Sequence, residues 1–444
     1  MPTPSQRELA VRSVVVVGAG LAGAQTVAAL RDQGFDGRIT LIGGESRAPY
    51  DRPPLSKHLL DRTEPAWLTD ELGVDVLALA DDVRLATAAT HLTVRPDGVT
   101  VATALDTVDA ERVDADTVDA DAVVIATGSR ALRPALWSGA VTLQTADDAA
   151  ALRARLRPGA RLVIVGAGWI GAEVAGVVAA TGIEVTVVEA APSPLAAALG
   201  AVVGALTTPW YRAAGVRLLT GIPAAEVRAD GVRLADGSEL PADVVLAAVG
   251  ARPATAWLGS LPREPDGSLV VDAGYRVVGA HGQVHARVHA VGDVARRRSA
   301  RHGWVPGGHW DGALRSPGIA VRALLGGPGV DPRPDDDFAP YVFSTQLGHE
   351  LAMFGLPTVA DHINHVDRAR DEVRLRGDPR GDPRGDGGWT ALWFSPAGEL
   401  TGLLAVDRPR DVAAARRLFA AATLPRLDPA IAADPSRPLR DAVR

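Results

Sequence analysis

No cysteine occurs in the 444 residues of this sequence. That one absence removes disulfide staples, thiolate-ligated zinc, iron–sulfur ligation by the protein and every form of thiol catalysis. Aromatic residues are scarce at 4%, while glycine and alanine abound, a balance that suits tight turns and close packing of α/β folds. Positive charge is not in excess: the formal net charge is −7 and the pI about 5.8, so nothing in the electrostatics asks for nucleic acid. No apolar run reaches the ~18 residues of a spanning helix, since the longest are broken by glycines and by Glu173. The opening MPTPSQRELAVRS lacks the basic-then-apolar layout of a secretory signal. A cytoplasmic protein without membrane contact is expected. Its length and 47% apolar content leave room for two or three domains.

What is present is a motif that occurs twice. Val14–Val17 runs into Gly18-Ala19-Gly20-Leu21-Ala22-Gly23, and Leu162–Val165 runs into Gly166-Ala167-Gly168-Trp169-Ile170-Gly171. Each is an apolar strand, a GxGxxG turn and an apolar helix. Glycines there allow a tight turn, close approach of backbone to a pyrophosphate, and packing of helix on strand, with the phosphate at the helix N-terminus. An acid about 20 residues on is expected to bond the ribose hydroxyls. Glu189 supplies it in the second repeat, with no Arg or Lys following to hold a 2′-phosphate, so NADH is favoured over NADPH. In the first repeat the candidate is Glu45, slightly beyond the strand end. Further strand-like runs close on Ala126-Thr127-Gly128, on Gly250 and on Gly292-Asp293.

Three segments read as irregular. Residues 104 to 122 form an acidic repetitive insertion in a hairpin, expected to be a solvated loop. Residues 374 to 388, RLRGDPRGDPRGDGG, have no apolar face to bury and are expected to be disordered. GGPGVDPRPDDD, from about 327, reads as a linker into a C-terminal region of hairpin-like alternation. Pro317 is expected to interrupt the helix that should run to Leu325. His302, His309, His349, His362 and His365 show no ligand pattern, so no metal site is expected.

The order GxGxxG, ATG, GxGxxG, AxG, GD resembles the flavoprotein reductases with two dinucleotide-binding domains. Within them, Pro49-Tyr50-Asp51-Arg52-Pro53-Pro54-Leu55-Ser56-Lys57 resembles the signature of the ferredoxin reductases that serve oxygenases and cytochromes P450. Gly168–Ala175 and Val406-Asp407-Arg408-Pro409 are similar to two further family segments. The resemblance implies an α/β fold of two Rossmann-like domains, glutathione-reductase-like, plus a C-terminal α+β domain. It implies FAD bound by residues 1–131 and 252–326, NADH by 132–251, and a C-terminal domain at 327–444. Gly18, Gly20, Leu21, Ala22, Gly23, Glu45, Arg52, Ala126, Thr127, Gly128, Gly292, Asp293 and Trp310 would then serve FAD. Gly166, Gly168, Trp169, Ile170, Gly171, Glu189 and Gly250 would serve NADH. Lys57 would lie near flavin N5 and O4, stabilising the charge of the reduced ring, with Glu173 orienting it. The partner implied is a [2Fe-2S] ferredoxin passing electrons to an oxygenase or a cytochrome P450, from a reductase that is a monomer or homodimer.

The sequence departs from the family where the flavin face is expected. Gly44 stands where the family has its acid, Gln144 replaces an arginine, Val305–Trp310 including Gly308 replaces a more polar segment, and Phe343 stands where an indole is usual. Two other readings share these motifs. One is an NADH-dependent reductase or oxidase acting directly on oxygen, a quinone or a small substrate; the other is a non-catalytic nucleotide-binding regulator.

Overall fold

The computed structural model describes residues 11–73, 75–105, 113–326, 333–359, 371–381 and 388–444. The chain packs as two compact units. The first comprises Met1–Asp51, Ala66–Arg130 and Arg252–Asp337, the second Arg52–Pro65, Ala131–Ala251 and Phe338–Arg444.

The first unit is built on a nine-stranded sheet. Its parallel part runs Val284–Ala290, Ala122–Ile125, Ser13–Val17, Arg38–Ile42, Asp82–Arg84. A parallel strand is covered on both faces, which is why Ser13–Val17 reads as continuous valine rather than alternating. Val14 to Val17 are all buried. The helix Leu21–Asp32 follows, and the helix Trp310–Gly326 packs beside it. A separate antiparallel sheet joins Thr87–Val94, Val99–Leu105 and Val113–Ala120.

The second unit repeats the plan. Its parallel sheet has the order Arg217–Thr220, Glu184–Glu189, Arg161–Val165, Val244–Ala247. A five-stranded antiparallel sheet follows in the order Tyr341–Gln346, His349–Gly355, Leu400–Val406, Trp389–Phe394, Glu372–Arg376. Leu195, Leu199 and Trp210 share one apolar core with Leu351, Met353, Trp389 and Trp393 of that sheet. Burial of this kind stabilises by about 1.5–3 kcal/mol per large side chain. The α/β class and the C-terminal α+β region are therefore as the sequence implied.

Three local expectations are corrected. Helix Trp310–Gly326 continues through Pro317. Proline removes one N–H and crowds the carbonyl four residues back, but Ser316, Pro317, Ile319 and Ala320 are buried and the packing holds the helix. Ser316 Oγ also accepts the Gly292 N–H at 3.2 Å, and the Gly318 carbonyl accepts from Gln33 at 3.0 Å. Next, Val113–Ala120 is a strand rather than a solvated loop; residues 106–112 lie outside the described residues. Val118 is buried while Asp116 and Asp119 face outward to Arg84 and Arg95 at 3.1 Å. Asp and Ala are poor strand formers, so the pairing comes from Val99–Leu105 and not from composition. Finally, Arg374–Arg376 belongs to a strand, while residues 382–387 lie outside the described residues. Arg376 is 3% exposed, held by Asp411 at 3.0 Å and by the carbonyls of Ala432, Asp434 and Arg437.

Candidate functional site

In the first unit the glycines of the turn divide their roles. Gly18 has φ +114°, and a Cβ there would meet the Ala126 carbonyl at 2.1 Å. Gly23 lies against the Gly18 carbonyl, where a Cβ would come to 1.7 Å. Both therefore press helix and neighbouring strand onto the turn. Gly20 differs: nothing lies within 4 Å of the position a Cβ would take. It heads a helix of 12 residues with no side-chain cap and no acid in the first turn. The N–H groups of that first turn have no partner along the helix.

The Gly-Asp box closes on the same turn. Gly292, at φ +68°, would place a Cβ 3.0 Å from the Ala22 methyl. Asp293 Oδ2 accepts from Ser129 Oγ at 2.8 Å, just past Ala126-Thr127-Gly128. Thr127 Oγ1 donates to the Ala254 carbonyl at 2.8 Å. Trp310 Nε1 donates to Asp51 Oδ1 at 2.8 Å. Gly308, at φ +92°, precedes His309, whose pKa is driven below its ordinary value by burial against the opposing pull of Asp293. Glu45 is half-buried and accepts from Tyr50 Oη at 2.5 Å. Leu21 and Ala22 are buried at the helix start.

The second unit has a matching turn. Gly166 has φ +109° and abuts the Ala248 carbonyl, where a Cβ would come to 2.4 Å; Gly171 abuts the Gly166 carbonyl at 2.0 Å in the same sense. Gly168 faces open space and heads the 11-residue helix Trp169–Ala179 with no side-chain cap. Glu189 ends the second strand, and its carboxylate bridges two backbone donors: Ala167 N–H to Oε2 and Ala191 N–H to Oε1, both at 2.7 Å. The acid is thus tied to the turn itself. Ile170 is 46% exposed on the first helical turn, while Trp169 packs onto the core formed with the C-terminal sheet. Gly250 has φ +103° and ends the loop after Val244–Ala247. Tyr211 is buried, its hydroxyl without a hydrogen-bond partner among the described residues, and burial together with the charge of Glu189 raises its pKa.

A third group of residues gathers in the same unit. The short helix Pro54–Lys57, opened by a proline at its start, presents Lys57 to Glu173 on the helix after the second turn. Lys57 Nζ lies 2.6 Å from Glu173 Oε1, with side-chain exposures of 14% and 4%. Glu173 is buried on the second turn of its helix. It accepts further hydrogen bonds from Ser56 Oγ and from Ser344 Oγ, each at 2.5 Å. The Phe343 ring centre is 5.1 Å from Lys57 Nζ, within reach of a cation–π attraction. Arg52 donates to the Gln144 carbonyl at 2.5 Å, and Arg153 to the carbonyls of Leu59 and Arg62 at 2.8 and 2.9 Å. These bonds moor the segment that carries Lys57.

Sequence reasoning missed Ser56, Ser344, Gln346 and Arg153 as members of this group. One signal in the sequence did point to its centre: Lys57 is the chain's one lysine among 46 Lys and Arg residues. At every other cationic position the chain uses arginine. A compact ammonium offers a point charge where a guanidinium offers a planar fork, so this position calls for the ammonium.

The family described as pyridine nucleotide-disulphide oxidoreductase matches residues 12–312, and the reductase C-terminal family matches residues 341–443. The chain is 35% identical over 447 residues to the ferredoxin reductase component of chlorobenzene dioxygenase from Cupriavidus sp. (strain PS12), covering 97% of both chains. It is 33% identical over 448 residues to the ferredoxin–NAD(+) reductase subunit of the benzene 1,2-dioxygenase system of Pseudomonas putida, again covering 97% of both. Its structure is similar to the covalent putidaredoxin reductase–putidaredoxin complex, with a TM-score of 0.81, 25% identity and 98% of each chain covered.

Proposed function

The chain belongs to the pyridine nucleotide-disulphide oxidoreductase family, and from that premise we propose that it is an NADH-dependent FAD enzyme delivering single electrons, in the cytoplasm, to a [2Fe-2S] ferredoxin that serves an oxygenase or a cytochrome P450. One observation carries the reading: both nucleotide turns are intact in a chain with no cysteine. A family member without a thiol pair cannot work through a disulfide, so the electrons leave to an acceptor outside the chain, which we assign as the ferredoxin.

The residues fit the two dinucleotides. Gly20 and Gly168 each head an uncapped helix, with no described residue near the position a Cβ would take, which suits a pyrophosphate at the N-terminal N–H groups. FAD is assigned to the first turn with Asp293 for its ribityl chain, and NADH to the second with Glu189 for its ribose. When bound, the flavin supplies the step from a hydride pair to single electrons. The chain's own residues do the rest. Glu189, fixed by two backbone N–H groups, meets ribose hydroxyls and repels a 2′-phosphate. Lys57 is assigned to the negative charge that reduction brings, and Glu173 holds it at one position rather than leaving it to sample rotamers.

Cytochrome c reduction driven by NADH tests the reading. Strict dependence on an added [2Fe-2S] ferredoxin is expected. A rate indifferent to every ferredoxin would move the chain to the class acting directly on oxygen, a quinone or a small substrate.

A further inference from the structure

Glu173 sits on the second turn of the helix Trp169–Ala179 and is almost wholly withdrawn from water. Such a carboxylate persists as an anion only when its lone pairs are met by donors. Lys57 and Ser344 both approach Oε1, and Ser56 approaches Oε2. The two serines have different origins. Ser56 adjoins Lys57 and travels with it, whereas Ser344 comes from the strand Tyr341–Gln346 of the C-terminal sheet, 171 residues beyond Glu173.

Ser344 is itself oriented. Gln346 Nε2 donates to its oxygen at 3.0 Å, and both side chains are buried. With its lone pair engaged by the amide, the hydroxyl directs its own proton to Glu173. The preceding residue, Phe343, sets its ring against the ammonium that Glu173 holds. One strand therefore touches both members of the ion pair.

We propose that Ser344, oriented by Gln346, is a positioning residue that locks Glu173 and thereby fixes the ammonium of Lys57. The geometry stands on the contacts above; its consequence for reduction rests on the assignment of Lys57 made under the proposed function. The single lysine makes the geometry measurable.

Labelling the FAD-loaded protein with 15N-lysine gives one side-chain ammonium signal, because there is one lysine. In the wild type its protons are expected to exchange slowly with water. Ser344→Ala is expected to speed that exchange about tenfold, the factor that one lost charge-assisted hydrogen bond represents at the low end. Ser344→Thr keeps the hydroxyl and is expected to restore slow exchange, and Ser344→Val, equal to it in shape, is not. Equal exchange in the Thr and Val variants, unchanged exchange in Ser344→Ala, or no protected ammonium in the wild type overturns the proposal. The flavin midpoint potential is a second readout. A fall of about 30 mV in Ser344→Ala, the two-electron equivalent of tenfold, is expected. Faster exchange with an unmoved potential would uphold the lock and count against the assignment of Lys57 to the flavin.

Discussion

Glu173→Ala is the perturbation whose cost the structure fixes most closely. The substitution strips three donors of their acceptor at once. Lys57 keeps 14% side-chain exposure, so its charge cannot simply return to water without moving the helix Pro54–Lys57. Breaking a buried ion pair by removing one partner costs about 3–5 kcal/mol. Ser56 and Ser344 lose their acceptor as well, worth about 1–3 kcal/mol each when left unpaired, but the three losses overlap and do not add. A net destabilisation of about 3 kcal/mol follows, taking the lower end because Lys57 retains the Phe343 ring. For a unit of this size, each kcal/mol moves the midpoint by roughly 2–4 °C, so a fall of about 6–12 °C is expected. Scanning calorimetry on the FAD-loaded protein reads it. Glu173→Gln keeps an acceptor and the shape, and is expected to fall between wild type and Glu173→Ala. Glu239, whose side chain is 64% exposed beside Arg228, supplies the control, since exposed pairs contribute little. If Glu173→Ala melted with Glu239→Ala, the account of a dry, triply bonded carboxylate would be wrong.

Other expectations follow from single sites. Glu189→Ala removes the repulsion of a 2′-phosphate and should shift the NADH-over-NADPH ratio of kcat/KM toward NADPH by about tenfold, the order of one lost charge interaction; an unchanged ratio contradicts the ribose assignment. The same variant leaves the Ala167 and Ala191 N–H groups without their carboxylate, so a stability loss of about 1.5–3 kcal/mol should appear in urea unfolding. Arg376→Ala leaves Asp411 with Arg408 at 3.2 Å but strips the carbonyls of Ala432, Asp434 and Arg437 of their buried donor, so a cost of about 1–3 kcal/mol is expected, which hydrogen exchange in the C-terminal sheet would register; exchange as slow as in wild type refutes it. His289 is buried, both ring nitrogens without a partner among the described residues, and burial pulls its pKa down to about 3. Its folded pKa lies below the unfolded value of about 6.5, so the unfolded chain takes the proton first. Stability is therefore lost as pH falls through the window between those values. From pH 7 to 5 this one group should remove about 2 kcal/mol, and His289→Leu should flatten the profile by that amount. An unchanged profile in the variant would show that the imidazole is not held neutral.

The parts of this molecule that were legible in the sequence are those whose cause is local. A GxGxxG turn declares itself because Gly18 and Gly166 need positive φ and no side chain clears the Ala126 or Ala248 carbonyl. Continuous valine declares a doubly covered strand for the same local reason. The family resemblance gave Lys57 and Glu173 as a pair but not the serines that hold them. Ser344 reaches Glu173 across 171 residues, and no periodicity encodes such a meeting. Arg376 was hidden in the opposite way, because a Gly-, Pro- and charge-rich stretch looks solvated until Asp411 and three carbonyls close around one guanidinium. Val113–Ala120 and Pro317 make the same point from the side of propensity, where pairing and packing outweighed composition. The lysine count was open to inspection throughout, and it marks the site more sharply than any motif.

The most direct test of the central claim is the visible spectrum of the purified protein, taken anaerobically before and after NADH. A flavin spectrum that bleaches on NADH, and does so far less readily on NADPH, is the predicted result. A colourless protein, or a yellow one that NADH leaves unchanged, would contradict the account at its root.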